Sequence, residues 1–266
     1  MVRILTLSPS DLGRQRSPFG ASLSSVNPRE KSTWVGQIFL TFDFDWAHND
    51  IVADCLELLA EAGYPSSTWF VTHETPMLEI LRETPGVELG IHPNFRPMLD
   101  GPRHRADGRD EIERLMRIVP DARAVRSHSV VTGSPLSVIY QEHGITHESN
   151  VYIPASSGIE VRPWFSPHGL VQAPFSWADD VSTYRAEPEA LQLARANRGL
   201  LILDFHPIHI FLNTESMERY EMTREIHQSP GELVAHRYKW YGTRNRFLDF
   251  IHGVTGDSSG AQFVGA

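Results

Sequence analysis

The chain has 266 residues, with 24 Lys and Arg against 33 Asp and Glu, a formal net charge of −9 and a pI of about 5.8. An acidic balance without a Lys/Arg stripe argues against a nucleic-acid binder, and 41 % hydrophobic with 21 % charged residues argues against a chain lacking a core. One cysteine excludes an internal disulfide framework, and no apolar run reaches the roughly 18 residues of a membrane span.

Residues 1–33 are rich in serine and carry Pro9, Pro18 and Pro28, so after a short strand at Val2–Leu7 they read as a loose arm. Ile38–Phe42 reads as a strand. Residues 50–62 have helical spacing, with Cys55 among Ile51, Val52, Leu56, Leu58 and Leu59, and stop at Gly63. Ser67–Thr72 is a second strand. Thr75-Pro76 opens a helix to Arg82, with a capping hydroxyl and a proline where its missing N–H costs nothing. Val87–Ile91 is a third strand, and a helix over 108–118 follows the capping residue Asp107. Ala124–Ser127 is a fourth strand, Ser134-Pro135 starts a helix ending at Gly144, and Ile145–Glu148 is a fifth strand. The stretch 150–182, broken by Pro154, Pro163, Pro167 and Pro174, is irregular. Glu189–Asn197 is helical and leads into the apolar strand Leu200–Phe205; a last helix covers 243–252, and 253–266 is a loose tail. One domain over 34–252 follows. Alternating strands and helices imply an α/β fold with a parallel sheet covered on both sides, and about seven such units predict an irregular (β/α) barrel. Functional groups then belong at the carboxyl ends of the strands.

The polar residues fall where that geometry wants them. The first strand ends in Asp43 and Asp45, the third in His92, the fourth in Arg126 and His128, and the strand at 200–205 in His206 and His209. Two aspartates at one buried strand end need a cation, a metal or several donors. Converging on one mouth, two carboxylates, an arginine and imidazoles suit a divalent metal with mixed N and O ligands. One aspartate then serves as ligand and its neighbour as base, with an imidazole as acid, which is the chemistry of amide or ester hydrolysis.

These residues resemble the motifs of the NodB-like polysaccharide deacetylases, carbohydrate esterase family 4, and in particular the WbmS-like branch associated with surface-polysaccharide synthesis; the resemblance covers most of 36–252. Thr41-Phe42-Asp43-Phe44-Asp45 is similar to the first motif, which implies Asp43 as catalytic base and Asp45 as metal ligand. Gly90-Ile91-His92-Pro93-Asn94-Phe95-Arg96 matches only the first histidine of His-(Ser/Thr)-x-x-His, and Arg96 stands at the second. The resemblance therefore implies His92 as ligand and leaves the third ligand to His128, Asn94 or His209, of which His128 is favoured. Arg126-Ser127-His128-Ser129 resembles the third motif and implies that Arg126 orients the base. Trp177-Ala178-Asp179-Asp180 faintly echoes the fourth, and Leu200 to His206 resembles the fifth, with His206 as general acid.

What the resemblance implies is removal of an acetyl group from a sugar with Zn²⁺, or with Co²⁺, Ni²⁺, Mn²⁺ or Fe²⁺. Trp46, Asn94, Asp180 and His209 are the expected substrate contacts, Trp46, Trp164 and Trp177 the candidates for stacking on sugar faces, and a backbone N–H near Trp46 a donor to the carbonyl oxygen. The expected partner is an acetylated carbohydrate, with no nucleic acid, no transmembrane segment and no protein partner inferable. The acidic surface and the lack of a signal segment point to the cytoplasm and a precursor of a surface polysaccharide. Two other readings stand beside this one: a hydrolase of a non-sugar amide or ureide on the same scaffold, and a carbohydrate-binding protein with a decayed metal site.

Overall fold

The computed structural model describes residues 18–63, 65–100 and 108–256. The expected strand at Val2–Leu7, the cap Asp107 and the tail from residue 257 lie outside the described residues. Nine strands form one sheet: β1 Gln37–Asp43, β2 Ser67–Val71, β3 Val87–Ile91, β4 Ala124–Val125, β5 His147–Glu148, β6 Trp164–Phe165, β7 Val171–Gln172, β8 Trp177–Ala178 and β9 Leu200–Phe205. Their order is β6-β7-β5-β4-β3-β2-β1-β9-β8, and every pair is parallel except β6 with β7. The helices are α1 Asn49–Glu61, α2 Met77–Glu83, α3 Arg96–Asp100, α4 Gly108–Ile118, α5 Ser134–Glu142, α6 Asp179–Ser182, α7 Ala190–Ala196, α8 Pro207–Leu212, α9 Met217–Met222, α10 Pro230–Leu233 and α11 Thr243–Thr255.

The α/β half-barrel and its curled, mostly parallel sheet agree with the fold read from the sequence, with nine strands in place of about seven. The strands not read from the sequence are the two-residue β6, β7 and β8, all within the irregular 150–182 stretch. Among the described residues no pair joins β6 to β8, so the sheet is curled but open.

Side chains alternate between two cores, as a pleated strand requires. Ile38, Leu40 and Phe42 of β1 and Leu201, Leu203 and Phe205 of β9 pack against the helices, where α1 buries Ile51, Val52, Cys55, Leu56, Leu58 and Leu59. Phe39, Phe70, Leu200 and Ile202 face the other way, into a smaller cluster completed by Leu23, Val26 and Trp34. Residues 18–33 therefore differ from the loose arm expected. Phe19 pairs with Ile38, the backbone N–H of Leu23 donates to Glu88 Oε2 at 2.8 Å, and Leu23 is fully buried. The side chains of Leu23 and Val26 cover part of the inner sheet face, and Phe19 packs on the helix side against Phe250 of α11. Among the described residues, no helix is long and apolar enough to cross a membrane.

Candidate active site

Because β1, β2, β3, β4, β5, β8 and β9 run parallel, their carboxyl ends share one edge of the sheet. Past β1 the chain turns at once: Asp45 and Trp46 have φ of 40° and 57°, a left-handed pair uncommon for such residues. Phe44, fully buried, packs edge-on against Trp69 and His73, while Asp43 and Asp45 on either side of it meet imidazoles. On β3, a Cβ at position 90 would lie 2.7 Å from the Phe70 ring and 2.8 Å from the Ala124 carbonyl oxygen, so only Gly90 lets β2, β3 and β4 close up below His92. The loop after β4 is held to the one after β3 by the His128 N–H, which donates to the Pro93 carbonyl at 2.9 Å. It carries a second left-handed pair, Ser129 at 59° and Val130 at 50°. Backbone strain of this kind concentrates at functional sites.

Asp45, His92 and His128 come together. His128 Nδ1 lies 2.9 Å and His92 Nε2 3.1 Å from Asp45 Oδ1, and His206 Nε2 lies 3.7 Å from Asp45 Oδ2. His92 is 1 % exposed, and neither of its ring nitrogens makes a well-formed hydrogen bond. A buried polar atom left without a partner costs about 1–3 kcal/mol, and two on one imidazole beside a carboxylate and a second imidazole are what a cation would satisfy. The donor set of one carboxylate and two imidazoles, with ligand atoms within 4.8 Å of one another, fits a divalent transition metal. Burial pushes the Asp45 carboxyl up, but the hydrogen bond from His128 and the imidazoles of His92 and His206 outweigh it and hold the group well below its usual range.

Asp43 stands on the other side of His92, 3.8 Å from Nδ1, and accepts from Arg126 Nη1 at 3.0 Å. The same guanidinium nitrogen donates to Asp204 at 2.5 Å and Thr41 Oγ1 at 2.9 Å, and Nε and Nη2 go to the Ser149 carbonyl and hydroxyl. The Phe70 and Phe175 rings cover the guanidinium at 4.7 and 4.4 Å. Arg126 thus has no freedom to swing, and it sets the direction of Asp43. Burial drives the Asp204 carboxyl well above its usual range, with the charge of Arg126 opposing and that of Asp43 adding.

His206 faces Asp45 with Nε2, and its Nδ1 lies 2.7 Å from Asp179 Oδ1. Asp179, fully buried, also accepts the His206 backbone N–H at 2.8 Å. Burial pulls the His206 imidazole down, but the charge and hydrogen bond of Asp179 prevail and raise it well above the ordinary histidine value. A cavity of about 270 Å³ opens beside these groups, lined by Asp43, Asp180, Asp204 and His206 together with Ser127 and Tyr152 among others. A larger surface groove of about 1000 Å³, between α2 and α4, contains none of them.

The remaining expected residues divide. Asp180 lines the cavity, and Trp46, 39 % exposed, stands edge-on to His128 at 5.1 Å. Asn94 turns its side chain onto the backbone ahead of α3, Oδ1 accepting the Arg96 N–H at 3.1 Å. His209 is buried behind His206, with Nδ1 3.1 Å from Thr214 Oγ1. Trp164 is exposed on β6, but Trp177 is 1 % exposed and packs on Phe205, so it offers no face to a sugar. The Trp46 N–H already donates to Thr72 Oγ1 at 3.3 Å and is not a free oxyanion donor. Sequence reasoning missed Asp179 and Asp204. The signal for Asp204 was the one used for Asp43, a carboxylate inside an apolar strand.

The chain matches the family model described as WbmS-like polysaccharide deacetylase over residues 40–224. No curated protein matches it. Among solved structures it is similar to a Bordetella bronchiseptica protein assigned to polysaccharide deacetylation in O-antigen biosynthesis. Identity is 35 % and the TM-score 0.82, with 88 % of this chain and 98 % of that one covered. Less similar are a Thermococcus litoralis 4-α-glucanotransferase (12 % identity, TM-score 0.48, covering 83 % of this chain and 36 % of that one) and a Mycobacterium smegmatis protein assigned as a polysaccharide deacetylase (18 %, 0.42, 81 % and 90 %). A match over more than half of the chain, joined to a relative at this level of identity, places the protein in the WbmS-like family of polysaccharide deacetylases.

Proposed function

We propose that the protein is a metal-dependent hydrolase that removes an acetyl group from a sugar of a surface polysaccharide or its precursor. The observation that carries this reading is the meeting of Asp43, Arg126 and the His206–Asp179 pair around the Asp45, His92 and His128 group. Asp45, His92 and His128 would hold the metal, and Zn²⁺ suits one carboxylate and two imidazoles. A divalent cation there supplies polarisation of the acetyl carbonyl and a lowered pKa for water. Asp43, held in place by Arg126, accepts the proton of the attacking water. His206, kept protonated by Asp179, donates a proton to the departing sugar nitrogen or oxygen. Asp180 and Trp46 contact the sugar from the cavity and its rim. The O-antigen connection of the Bordetella relative supports a surface-polysaccharide substrate.

Acetate release from a panel of N- and O-acetylated sugars by the Zn²⁺-loaded protein tests the reading. Asp43→Asn is expected to lower turnover by about 10²- to 10⁴-fold while retaining the metal. Full activity in that variant would remove Asp43 from the role of base.

A further inference from the structure

The structure assigns a positioning role to the tripeptide Glu148-Ser149-Asn150 at the end of β5: it clamps the loop 126–132 so that His128 is presented as a metal ligand in place of the histidine that Arg96 displaces. The inference rests on the reading of Asp45, His92 and His128 as the ligand group.

All three residues are buried, and none lines the cavity beside Asp43 and His206. Glu148 is a carboxylate 1 % exposed whose four hydrogen bonds come from neutral groups. Oε1 accepts from Thr132 Oγ1 at 2.7 Å and Asn150 Nδ2 at 2.9 Å; Oε2 accepts from Gln172 Nε2 at 2.8 Å and Ser137 Oγ at 3.2 Å. Burying an acid without a cation costs free energy that its hydrogen bonds must offset, which ties the four donors to it. It thereby organises the ligand loop. By taking the amide nitrogen of Asn150, Glu148 leaves Asn150 Oδ1 facing Ser127, where it accepts the backbone N–H at 2.7 Å and lies 3.2 Å from the hydroxyl. Ser127 Oγ in turn donates to the Val131 carbonyl at 2.5 Å. The loop is therefore pinned at Ser127 through Asn150 and at Thr132 by Glu148 directly.

His128 and the left-handed Ser129 and Val130 lie between these two pins. Val130 is β-branched, and a β-branched residue at positive φ persists only where its surroundings over-determine it. Ser149, between Glu148 and Asn150, takes the Nε and Nη2 protons of Arg126. One strand end thus sets both the ligand His128 and the arginine that directs Asp43. A ligand carried by a strained loop, unlike His92 at the end of a five-residue strand, depends on such outer support.

Zn²⁺ affinity, measured by competition with a chromophoric chelator, and the visible spectrum of the Co²⁺-loaded protein test the assignment. Glu148→Gln puts a donor amide against one of the donor pairs, and Asn150→Ala and Thr132→Val each free one pin. Each is expected to weaken Zn²⁺ binding by about 10- to 100-fold, the usual effect of removing a residue that orients a ligand, and to change the Co²⁺ spectrum. Thr132→Ser, which keeps the hydroxyl, is expected to restore affinity. Ile251→Val, a core truncation on α11, controls for general destabilisation and is expected to lower the melting temperature with affinity unchanged. Affinities within twofold of wild type in folded Asn150→Ala and Thr132→Val would overturn the assignment while leaving the metal reading intact. Failure of the wild-type protein to bind Zn²⁺ would overturn both.

Discussion

A buried imidazole gives up its proton at neutral pH unless a negative charge stands against it. His206 has that charge in Asp179, at 2.7 Å and fully buried, and it lines the same cavity as Asp43. An acid must be protonated to act, so activity is present below the pKa of His206 and is lost as pH rises through it. Because that pKa is raised, the alkaline limb of the pH–rate profile is expected well above the ordinary histidine value of about 6.5. Asp179→Asn removes the charge, and the limb is expected to move to lower pH; an unmoved limb in the folded variant would take His206 out of the acid's role. That Asp43, Asp45, His92 and His206 share one edge of the sheet was legible in the sequence, because each ends or follows a strand of five residues or more and parallel strands bring such ends together; Arg126 and His128 follow the two-residue β4, whose place in the sheet its neighbours fix. The choice between Asp179 and Asp180 was not legible. It is set by the turn from β8 into α6, where Asp179 points to His206 and Asp180 lines the cavity, and adjacent aspartates look alike in a sequence.

At the scale of the elements, the long strands β1, β2, β3 and β9 and the helices α1, α2, α4, α5, α7 and α11 fall where the periodicity places them, but Ser134, expected as a cap, is the first residue of α5 and Gly133 precedes it. The strands from β4 to β8 have two residues each, too few for a period, and their pairing is fixed by neighbours distant in sequence. That is why the hydrogen bonds from the end of β5 to the loop 126–132 could not be read from His147 and Glu148. The close approach at Gly90 gives a direct check on the packing below His92. Gly90→Ala places a methyl 2.8 Å from the backbone oxygen of Ala124, which cannot rotate away, so a loss of about 1–3 kcal/mol is expected in urea denaturation. A neutral effect would mean that β3 and β4 are not held as tightly as described.

Over the whole molecule, the sheet has two apolar faces and the helices cover one. The segment 18–33 closes part of the other, although its serines and prolines suggested a loose arm: Leu23 and Val26 carry the cover, while Phe19 packs on the helix side against Phe250 of α11. Leu23→Ala is accordingly expected to cost about 2–5 kcal/mol of global stability, measured by denaturation, whereas a detached arm would leave stability unchanged. The same curled sheet brings Asp45, His92 and His128 together from three strand ends, and the central claim is that this group holds a metal. Elemental analysis of the purified protein and of His92→Ala and His128→Ala tests it most directly. About one divalent ion per chain in the wild type, lost in both variants, is the predicted result. A wild-type protein that takes up no metal even from excess Zn²⁺, or a His128→Ala variant that keeps a full complement, would contradict it.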